Sequence, residues 1–429
     1  MTGATIALIV ILFALLFSSA PIAVALGGTA FIYFLYFTTI PLTQIPERLF
    51  NSLNTFPLMA IPFFVLAANI MSRGGISKRL IDAGNAIVGQ HRGGMAVTAV
   101  LSCMFFAAVS GSSPATVVAV GTLLIPAMIS SGYPKQFSTG LIASSGSLGI
   151  LIPPSIPLIV YGVVTEQSVG DLFVAGILPG ILVGIMLIVM VILVSRKRGY
   201  GIDEHAVRMT RERKLKAFRN AVPTLLLPVI VLGGIYGGIF TPTEAAAVAV
   251  VYALVVSLFV YKQLSLKDFG RIMLGSAKTS AMIMFIIANA ILFTFVLTSE
   301  RIPSQLTEAM LGLDLNKYTF LLIVNLLLLI MGAFIDTSSA ILIIAPILLP
   351  IGLQLGVNPI HLGIIMILNL EIGMVTPPLG LNLFVASGLS GLSVLQVAKA
   401  AIPSALVLLA ALVLVTYLPV ISLALLGGG

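Results

Sequence analysis

The chain has 429 residues, of which 59% are hydrophobic and only 8% are charged. This composition excludes a soluble globular domain, because a membrane-spanning helix needs about 20 mostly apolar residues and such runs fill almost the whole length. The net charge of +8 invites a nucleic-acid-binding function, but nine of the 22 basic residues lie in one hydrophilic segment, residues 196–219. The single cysteine, Cys103, excludes an internal disulfide bond and is expected to be a small packed side chain.

The N-terminal part, residues 1–92, is predicted to form the first half of a scaffold domain. Its opening apolar stretch is too long for a cleavable signal peptide, and Ser18-Ser19-Ala20-Pro21 divides that stretch into two predicted crossings. A third span and two short interfacial amphipathic segments follow. The span covers 57–71, and the amphipathic segments cover 46–52 and 76–88.

Residues 93–195 are predicted to form the first half of a transport domain. Its elements are a re-entrant helical hairpin (95–110 and 115–131), a broken helix (136–165) and a span (172–195). The hairpin turns at a polar tip, Ser110-Gly111-Ser112-Ser113. The helix breaks at Pro153-Pro154, because proline lacks the N–H that would bond the carbonyl four residues earlier. An irregular backbone at membrane depth must be buried in protein or line a cavity.

The basic segment, residues 196–220, is predicted to be a cytoplasmic connector, because cytoplasmic loops carry an excess of Lys and Arg. Counting spans outward from this connector leaves only three basic residues outside, and it also places the N-terminus outside. These three are Arg48, Arg301 and Lys317. Residues 221–314 are predicted to form the second scaffold half. Its predicted spans cover 221–240, 243–262 and an apolar run that ends at about residue 298, and its amphipathic segments cover 266–273 and 303–311.

The last part, residues 315–429, repeats the elements of the first transport half. At an offset of 224 positions, the paired residues are Pro126 and Pro350, Gly132 and Gly356, Gly149 and Gly373, Pro153-Pro154 and Pro377-Pro378, and Pro179 and Pro403. A second hairpin (318–335 and 339–353) turns at Asp336-Thr337-Ser338-Ser339, and a second broken helix covers 360–390. The distribution of basic residues indicates that the two hairpins enter the membrane from opposite faces. This arrangement predicts an inverted repeat. Hairpins that span the membrane completely are the alternative.

Two cation sites are predicted where each tip meets its break, because carbonyls freed by proline and Ser or Thr hydroxyls are hard oxygen ligands. The first site comprises Ser110, Gly111, Ser112, Ser113, Gly149, Ile150 and Pro153. The second comprises Asp336, Thr337, Ser338, Gly373, Met374, Thr376 and Pro377. Helix N-termini after the tips and breaks suit a carboxylate substrate, for which the candidate contacts are Ser112, Ser113, Pro154, Ser155, Asp336 and Asn382.

Five polar residues are candidates for a role, and three of them have competing interpretations. Asp336 is expected to bind a cation, because an ionisable group in an apolar span is functional by default, although it could also cap a helix. Glu244 is expected to close a structural capping box. Glu371 either supports an ion site or pairs helices, and Asn382 either reaches the substrate cavity or bonds a neighbouring helix. His361 is expected at the membrane interface.

Duplicated, interrupted hydrophobic segments are typical of secondary transporters, so we predict an all-α polytopic carrier. Five motifs also resemble the large membrane subunit (M, DctM-like) of the tripartite ATP-independent periplasmic (TRAP) transporters. They are GSSPATV, GSLGILIPPSIPLIVYG, FTPTEAAAVA, DTSSAILIIAPILLP and GMVTPPLGLNLF. The resemblance covers essentially the whole chain. It implies sodium-coupled uptake of an organic acid across a bacterial inner membrane by an elevator movement, with the N-terminus in the periplasm.

The resemblance further implies two partners and no cofactor besides the coupling sodium ions. The partners are a small four-helix membrane subunit (Q), expected to be a separate chain, and a periplasmic substrate-binding protein (P). The sodium sites of the family map onto Ser110–Ser113 with Gly149–Pro154 and onto Asp336–Ser339 with Gly373–Pro378. Family substrates include C4-dicarboxylates, other small organic acids and sialic acid. Sialic acid is the substrate expected for this chain.

Rival functions are a stand-alone sodium- or proton-coupled anion transporter or antiporter and, more remotely, an intramembrane enzyme. The sequence has no HExxH motif, and none of its three histidines lies near a tip, which disfavours the enzyme. A channel is disfavoured because two inverted, closed hairpin sites suit alternating access better.

Overall fold

The computed structural model describes residues 3–18, 20–88, 93–201, 210–311 and 316–427. These residues form helices and turns, and they include no strand. Residues 89–92, at the predicted end of the first scaffold half, and residues 202–209, in the middle of the predicted connector, lie outside the described part.

The first predicted scaffold half contains five helices: α1 (Gly3–Phe17), α2 (Ile22–Tyr36), α3 (Gln44–Leu53), α4 (Ala60–Arg73) and α5 (Ile76–Val88). The helices α1 and α2 occupy the two predicted crossings, and α3 and α5 occupy the two predicted amphipathic segments. In α5, Ile76, Leu80 and Ala83 are buried whereas Lys78 and Asp82 are exposed. Burial at intervals of three or four residues is the pattern of a helix that lies on a protein or membrane surface.

The first predicted transport half contains six helices: α6 (Gly94–Ser110), α7 (Ser113–Ser130), α8 (Lys135–Ser145), α9 (Leu148–Leu151), α10 (Ile156–Val164) and α11 (Val169–Arg198). The direction changes by 41° between Lys135–Leu151 and Ile156–Val164, on either side of the proline pair. Cys103 is fully buried in α6, as expected.

The second predicted scaffold half contains α12 (Arg211–Tyr236), α13 (Pro242–Val255), α14 (Leu266–Ser299) and α15 (Ile302–Leu311). The prediction of a separate amphipathic segment over 266–273 is wrong, because α14 is one continuous helix of 34 residues. Ser265 caps its start by accepting a hydrogen bond from the Asp268 N–H at 3.2 Å. No proline follows to end the helix, so its polar turns continue directly into the span.

The last part contains α16 (Lys317–Gly332), α17 (Thr337–Gln354), α18 (Pro359–Gly373), α19 (Leu381–Ser390), α20 (Val394–Tyr417) and α21 (Val420–Leu423). Paired residues of the two transport halves occupy equivalent places. Pro126 and Pro350 lie inside α7 and α17, and Pro179 and Pro403 lie inside α11 and α20. Gly132 and Gly356 both have positive φ, 81° and 73°, a conformation that glycine adopts without steric cost.

Eight helices of the described residues are long and apolar enough to cross a membrane, or nine if the bent pair is one span. Both α7 and α17 belong to the eight, whereas α6 and α16 are shorter. The broken helices lie at the centre of the fold, because every residue of α18 from Ile360 to Gly373 is buried. Large apolar side chains on the outer helices, such as Val10, Phe31 and Leu406, are exposed, as a lipid environment requires.

Candidate functional site

The first hairpin turns at Gly111, whose φ of 59° lies in the left-handed region that glycine adopts without steric cost. Its hydroxyl groups are held by bonds within the tip. Ser110 Oγ and Thr116 Oγ1 share a hydrogen bond of 2.8 Å, and Thr116 Oγ1 donates to the carbonyl of Ser112 at 2.9 Å. The tip therefore presents a fixed group of oxygen atoms at the junction of α6 and α7.

The first break lies directly against this tip. The backbone N–H of Ile156 donates to the carbonyl of Gly111 at 3.2 Å. A Cβ atom on Gly149 would lie 2.7 Å from both the Ser112 carbonyl oxygen and Thr116 Oγ1, so a side chain at this position has no room. The structure thus places Gly149 of the first break directly against Ser112 of the first tip.

Only part of the backbone at the first break is free. The carbonyl of Ile150, predicted to be released by Pro154, instead accepts a hydrogen bond from Ser155 Oγ. Ser155 also caps α10, because its Oγ accepts from the Leu158 N–H at 3.4 Å. Pro153, Pro154 and Ser155 are all buried. These residues hold the break together from inside the protein.

At the second tip, Asp336 is the N-cap of α17. Its Oδ2 accepts from the Ser339 N–H at 3.1 Å, and its Oδ1 accepts from Ser339 Oγ at 2.6 Å. The capping role considered for Asp336 is therefore present, and cation binding by the same half-buried carboxylate stays a prediction. Thr337 Oγ1 lies 3.3 Å from Met374 Sδ in the second break, and Ser338 is partly exposed.

The second break is tied to the end of α16, just before its tip, in a similar way. The Leu379 N–H donates to the carbonyl of Ala333 at 3.1 Å. A Cβ atom on Gly373 would lie 2.2 Å from the carbonyl carbon of Gly332, so the end of α18 meets the end of α16 backbone to backbone. Thr376 Oγ1 donates to the carbonyl of Ile372, in the last turn of α18, at 2.7 Å. Pro377 is exposed.

A buried polar cluster, Ser113–Glu371–Asn382, joins the two repeats. Ser113 Oγ donates to Glu371 Oε1 at 3.0 Å, and Asn382 Nδ2 donates to Ser113 Oγ at 2.7 Å and to the carbonyl of Ala143 at 3.1 Å. All three side chains are at most 1% exposed. Asn382 therefore bonds neighbouring helices, one of its two predicted roles, and Glu371 bonds the tip of the opposite repeat. The sequence did not indicate that Ser113 links them.

Two side-chain oxygen atoms of this cluster are unpaired in the described part of the chain. Within the described residues, Glu371 Oε2 and Asn382 Oδ1 are buried without a hydrogen-bond partner. The ion pair found among the described residues is Arg271–Asp268, which lies elsewhere. No described basic side chain therefore neutralises Glu371. A buried charge without a partner is strongly unfavourable, so of the two roles predicted for Glu371 the bond to Ser113 is present, and support of an ion site stays a prediction.

Two polar residues lie outside the site. Glu244 completes the predicted capping box, because its N–H donates to Thr241 Oγ1 at 3.3 Å and its Oε2 accepts from the Thr241 N–H at 2.8 Å. His361, expected at the membrane interface, is covered by protein. Its ring is fully buried, with nitrogen atoms 3.2 Å from Ser422 Oγ and from the Thr416 carbonyl, because the C-terminal turns cover the start of α18.

Residues 9–421 match the family described as "Tripartite ATP-independent periplasmic transporter, DctM component". The "C4-dicarboxylate TRAP transporter large permease protein DctM" of Pseudomonas aeruginosa is 49% identical over 94% of this chain and 93% of that protein. The protein of the same name from Rhodobacter capsulatus is 46% identical over 97% of both chains. The "Sialic acid TRAP transporter large permease protein SiaM" of Vibrio cholerae is 34% identical over 94% of both.

The fold is similar to that of the YdaH transporter of Alcanivorax borkumensis, with a TM-score of 0.64, 17% identity and coverage of 89% of both chains. That likeness concerns the fold alone. The family and the relatives are transport permeases, so the chain is not an enzyme and the intramembrane-enzyme alternative is wrong. The chain belongs to the DctM component family of the tripartite ATP-independent periplasmic transporters, as the resemblance of its motifs implied.

Proposed function

We propose that this protein is the large permease subunit of a sodium-coupled transporter that imports a C4-dicarboxylate across a bacterial inner membrane. One observation carries the proposal. In each repeat, the chain after the proline pair donates a backbone hydrogen bond to the residue that ends the first helix of its own hairpin: Ile156 to Gly111 at 3.2 Å and Leu379 to Ala333 at 3.1 Å. Each tip and break therefore form a unit that surrounds carbonyl and hydroxyl oxygens.

Sodium is the coupling ion in this proposal because the available ligands are oxygen atoms. Hard cations prefer carbonyl, carboxylate and hydroxyl oxygens over thiolate or imidazole ligands. The first site would use Ser110, Ser112 and the carbonyl of Gly149, and the second would use Asp336 and the carbonyl of Gly373. The buried cluster Ser113–Glu371–Asn382 lies between them, so it would support both.

The substrate class is proposed from the relatives. Two relatives named for C4-dicarboxylate transport are 49% and 46% identical to this chain, whereas the one named for sialic acid is 34% identical. We therefore propose a C4-dicarboxylate in place of the sialic acid that the sequence suggested. The N-termini of α7 and α17 would attract its carboxylates. Ser112 and Asp336, which are partly exposed, would contact it, while the buried Ser113, Pro154, Ser155 and Asn382 would support the site from behind.

The proposed assembly and movement follow from the same units. Residues 93–195 and 315–429 would form one transport block with inverted repeats and re-entrant hairpins, and residues 1–92 and 221–314 would form the scaffold. A rigid block keeps each tip against its break, which avoids exposing irregular backbone to lipid. The proposed partners are a small four-helix membrane subunit and a periplasmic substrate-binding protein. The N-terminus would lie in the periplasm and residues 196–220 in the cytoplasm.

The test is uptake of radiolabelled succinate by vesicles that contain this chain together with both proposed partners. We expect uptake under an inward sodium gradient and its collapse to background when potassium replaces sodium. Undiminished uptake in potassium under a proton gradient alone would overturn sodium coupling. Excess unlabelled sialic acid should leave succinate uptake unchanged, and competition by sialic acid would overturn the substrate class. Full activity of this chain without its partners would support the stand-alone alternative.

A further inference from the structure

A polar cavity of about 420 Å³ lies between α5 and the first turns of α12. None of its lining residues belongs to the tips or breaks. Four basic side chains and one acidic side chain line it, which leaves a formal charge of +3 (four minus one). The basic side chains are Lys78, Arg79, Arg213 and Lys216, and the acidic one is Asp82.

Within the part of the chain that the structure describes, none of these basic side chains forms an ion pair. In the described ranges the ion pair found is Arg271–Asp268, which lies outside the cavity. Lys78, Arg213 and Lys216 are exposed. Positive charges gathered in a concave surface raise the local concentration of anions, so the cavity attracts a negatively charged group.

The cavity is built around a fixed arginine. Arg79 Nη1 donates to the carbonyl of Gly75 at 2.9 Å, and its guanidinium carbon lies 3.6 Å from the ring centroid of Tyr261. Tyr261 in turn donates its hydroxyl to the carbonyl of Asn220, a lining residue, at 2.8 Å. Segments from α5, α12 and the chain that follows α13 thus hold one guanidinium in place. A planar, pre-positioned guanidinium is well suited to bind phosphate.

The position of the cavity indicates where the anion comes from. The span of α4 ends at Arg73, directly before the amphipathic α5. The helix α12 begins with basic turns from Arg211 and then becomes a candidate span. The cavity therefore lies where spans end, on the side of the basic connector. Basic pockets between membrane helices on the cytoplasmic side are suited to anionic lipid headgroups.

We propose that the cavity between α5 and α12 binds the phosphate of an anionic phospholipid headgroup from the cytoplasmic leaflet. A soluble phosphate compound offers the same chemistry, but the position at the end of the spans favours the lipid. Because α5 belongs to the scaffold, the bound lipid would anchor that helix at the membrane surface.

The full chain, purified in detergent, is titrated with short-chain phosphatidylglycerol while the midpoint of thermal unfolding is followed. Short-chain phosphatidylcholine and inorganic phosphate serve as the comparison titrations. We expect phosphatidylglycerol to raise the midpoint saturably. The double change Lys78→Gln and Lys216→Gln should raise the half-saturating concentration at least tenfold, because each basic residue near an anionic headgroup contributes about fivefold in affinity.

The matched control is Arg211→Gln with Lys214→Gln, which removes two charges from the same end of α12 outside the cavity. It should leave the half-saturating concentration unchanged. An equal effect of the control and the cavity variant, or an equal response to phosphatidylcholine, would overturn a specific site. A response to inorganic phosphate at the same concentrations would overturn the lipid as the source. Loss of the response when the small membrane subunit is bound would assign the cavity to that partner.

Discussion

The hydroxyl group of Ser113 donates a hydrogen bond of 3.0 Å to Oε1 of Glu371, a residue 258 positions away in the chain. Ser113 begins the second helix of the first hairpin, and Glu371 lies in the last turn of α18 before the second break. The bond therefore joins the tip of one repeat to the break of the other. Because both side chains are buried, a substitution at either one should affect both candidate cation sites.

Replacing Ser113 with alanine tests this link. Ser113→Ala leaves a buried oxygen of Glu371 and an N–H of Asn382 without their partner, which should lower the free energy of unfolding by about 1–3 kcal/mol. The measurement is denaturant unfolding in detergent micelles. Ser130→Ala is the control, because that exposed hydroxyl bonds only the Ala127 carbonyl of its own helix, at 2.9 Å. Equal losses in the two variants would show that the buried cluster adds no stability.

The two roles of Asp336 can be separated with Asp336→Asn. Asparagine caps helices about as well as aspartate, so the thermal stability should remain, whereas the charge for a cation is lost. We expect sodium-dependent uptake to fall roughly tenfold or more, since an interaction with a charged group contributes about 1.5–3 kcal/mol. Glu244→Gln is the matched control, because it changes an exposed acid in a capping box. Uptake that falls equally in both variants, at matched expression, would assign the cation to another group.

The close approach of the backbone at the second break predicts the effect of a single methyl group. In Gly373→Ala the new Cβ would lie 2.2 Å from the carbonyl carbon of Gly332, and neither helix backbone can move aside cheaply. We expect destabilisation of about 1–3 kcal/mol with loss of uptake. Gly388→Ala is the control, because nothing lies within 4 Å of its Cβ and alanine favours a helix by about 0.5–1 kcal/mol. A stable, active Gly373→Ala protein would contradict the tight contact.

The parts of the site that local chemistry determines were predictable from the sequence. A polar tip between apolar runs and a proline pair after glycine each leave a local signal, and α6 ends at Ser110 as the prediction had it. Contacts between distant segments left no such signal. The bond from Ser113 to Glu371 and the contact of Gly373 with Gly332 depend on how whole helices pack. The burial of His361 likewise depends on the C-terminal turns that cover it.

The interface between α5 and α6 offers a test of the proposed elevator movement, because α5 would belong to the proposed scaffold and α6 to the proposed transport block. A Cβ atom built on Gly84 lies 3.8 Å from the Cβ of Thr98, close to the mean separation of about 3.8 Å in disulfide bonds. In a background with Cys103→Ala, the pair Gly84→Cys and Thr98→Cys should therefore form a disulfide on oxidation. Uptake of succinate by the reconstituted assembly should then fall to background and return when the disulfide is reduced.

A disulfide within the block distinguishes movement of the whole block from local gating. A Cβ atom on Gly146 lies 3.4 Å from the Cβ of Val117, so Gly146→Cys with Val117→Cys links the first hairpin to its facing broken helix. If tip and break travel together, this link constrains nothing that moves, and the oxidised protein should retain most of its uptake. If opening requires the hairpin to separate from the broken helix, the same link should stop uptake, while the link from Gly84 to Thr98 leaves it running. The two disulfides therefore give opposite results under the two mechanisms.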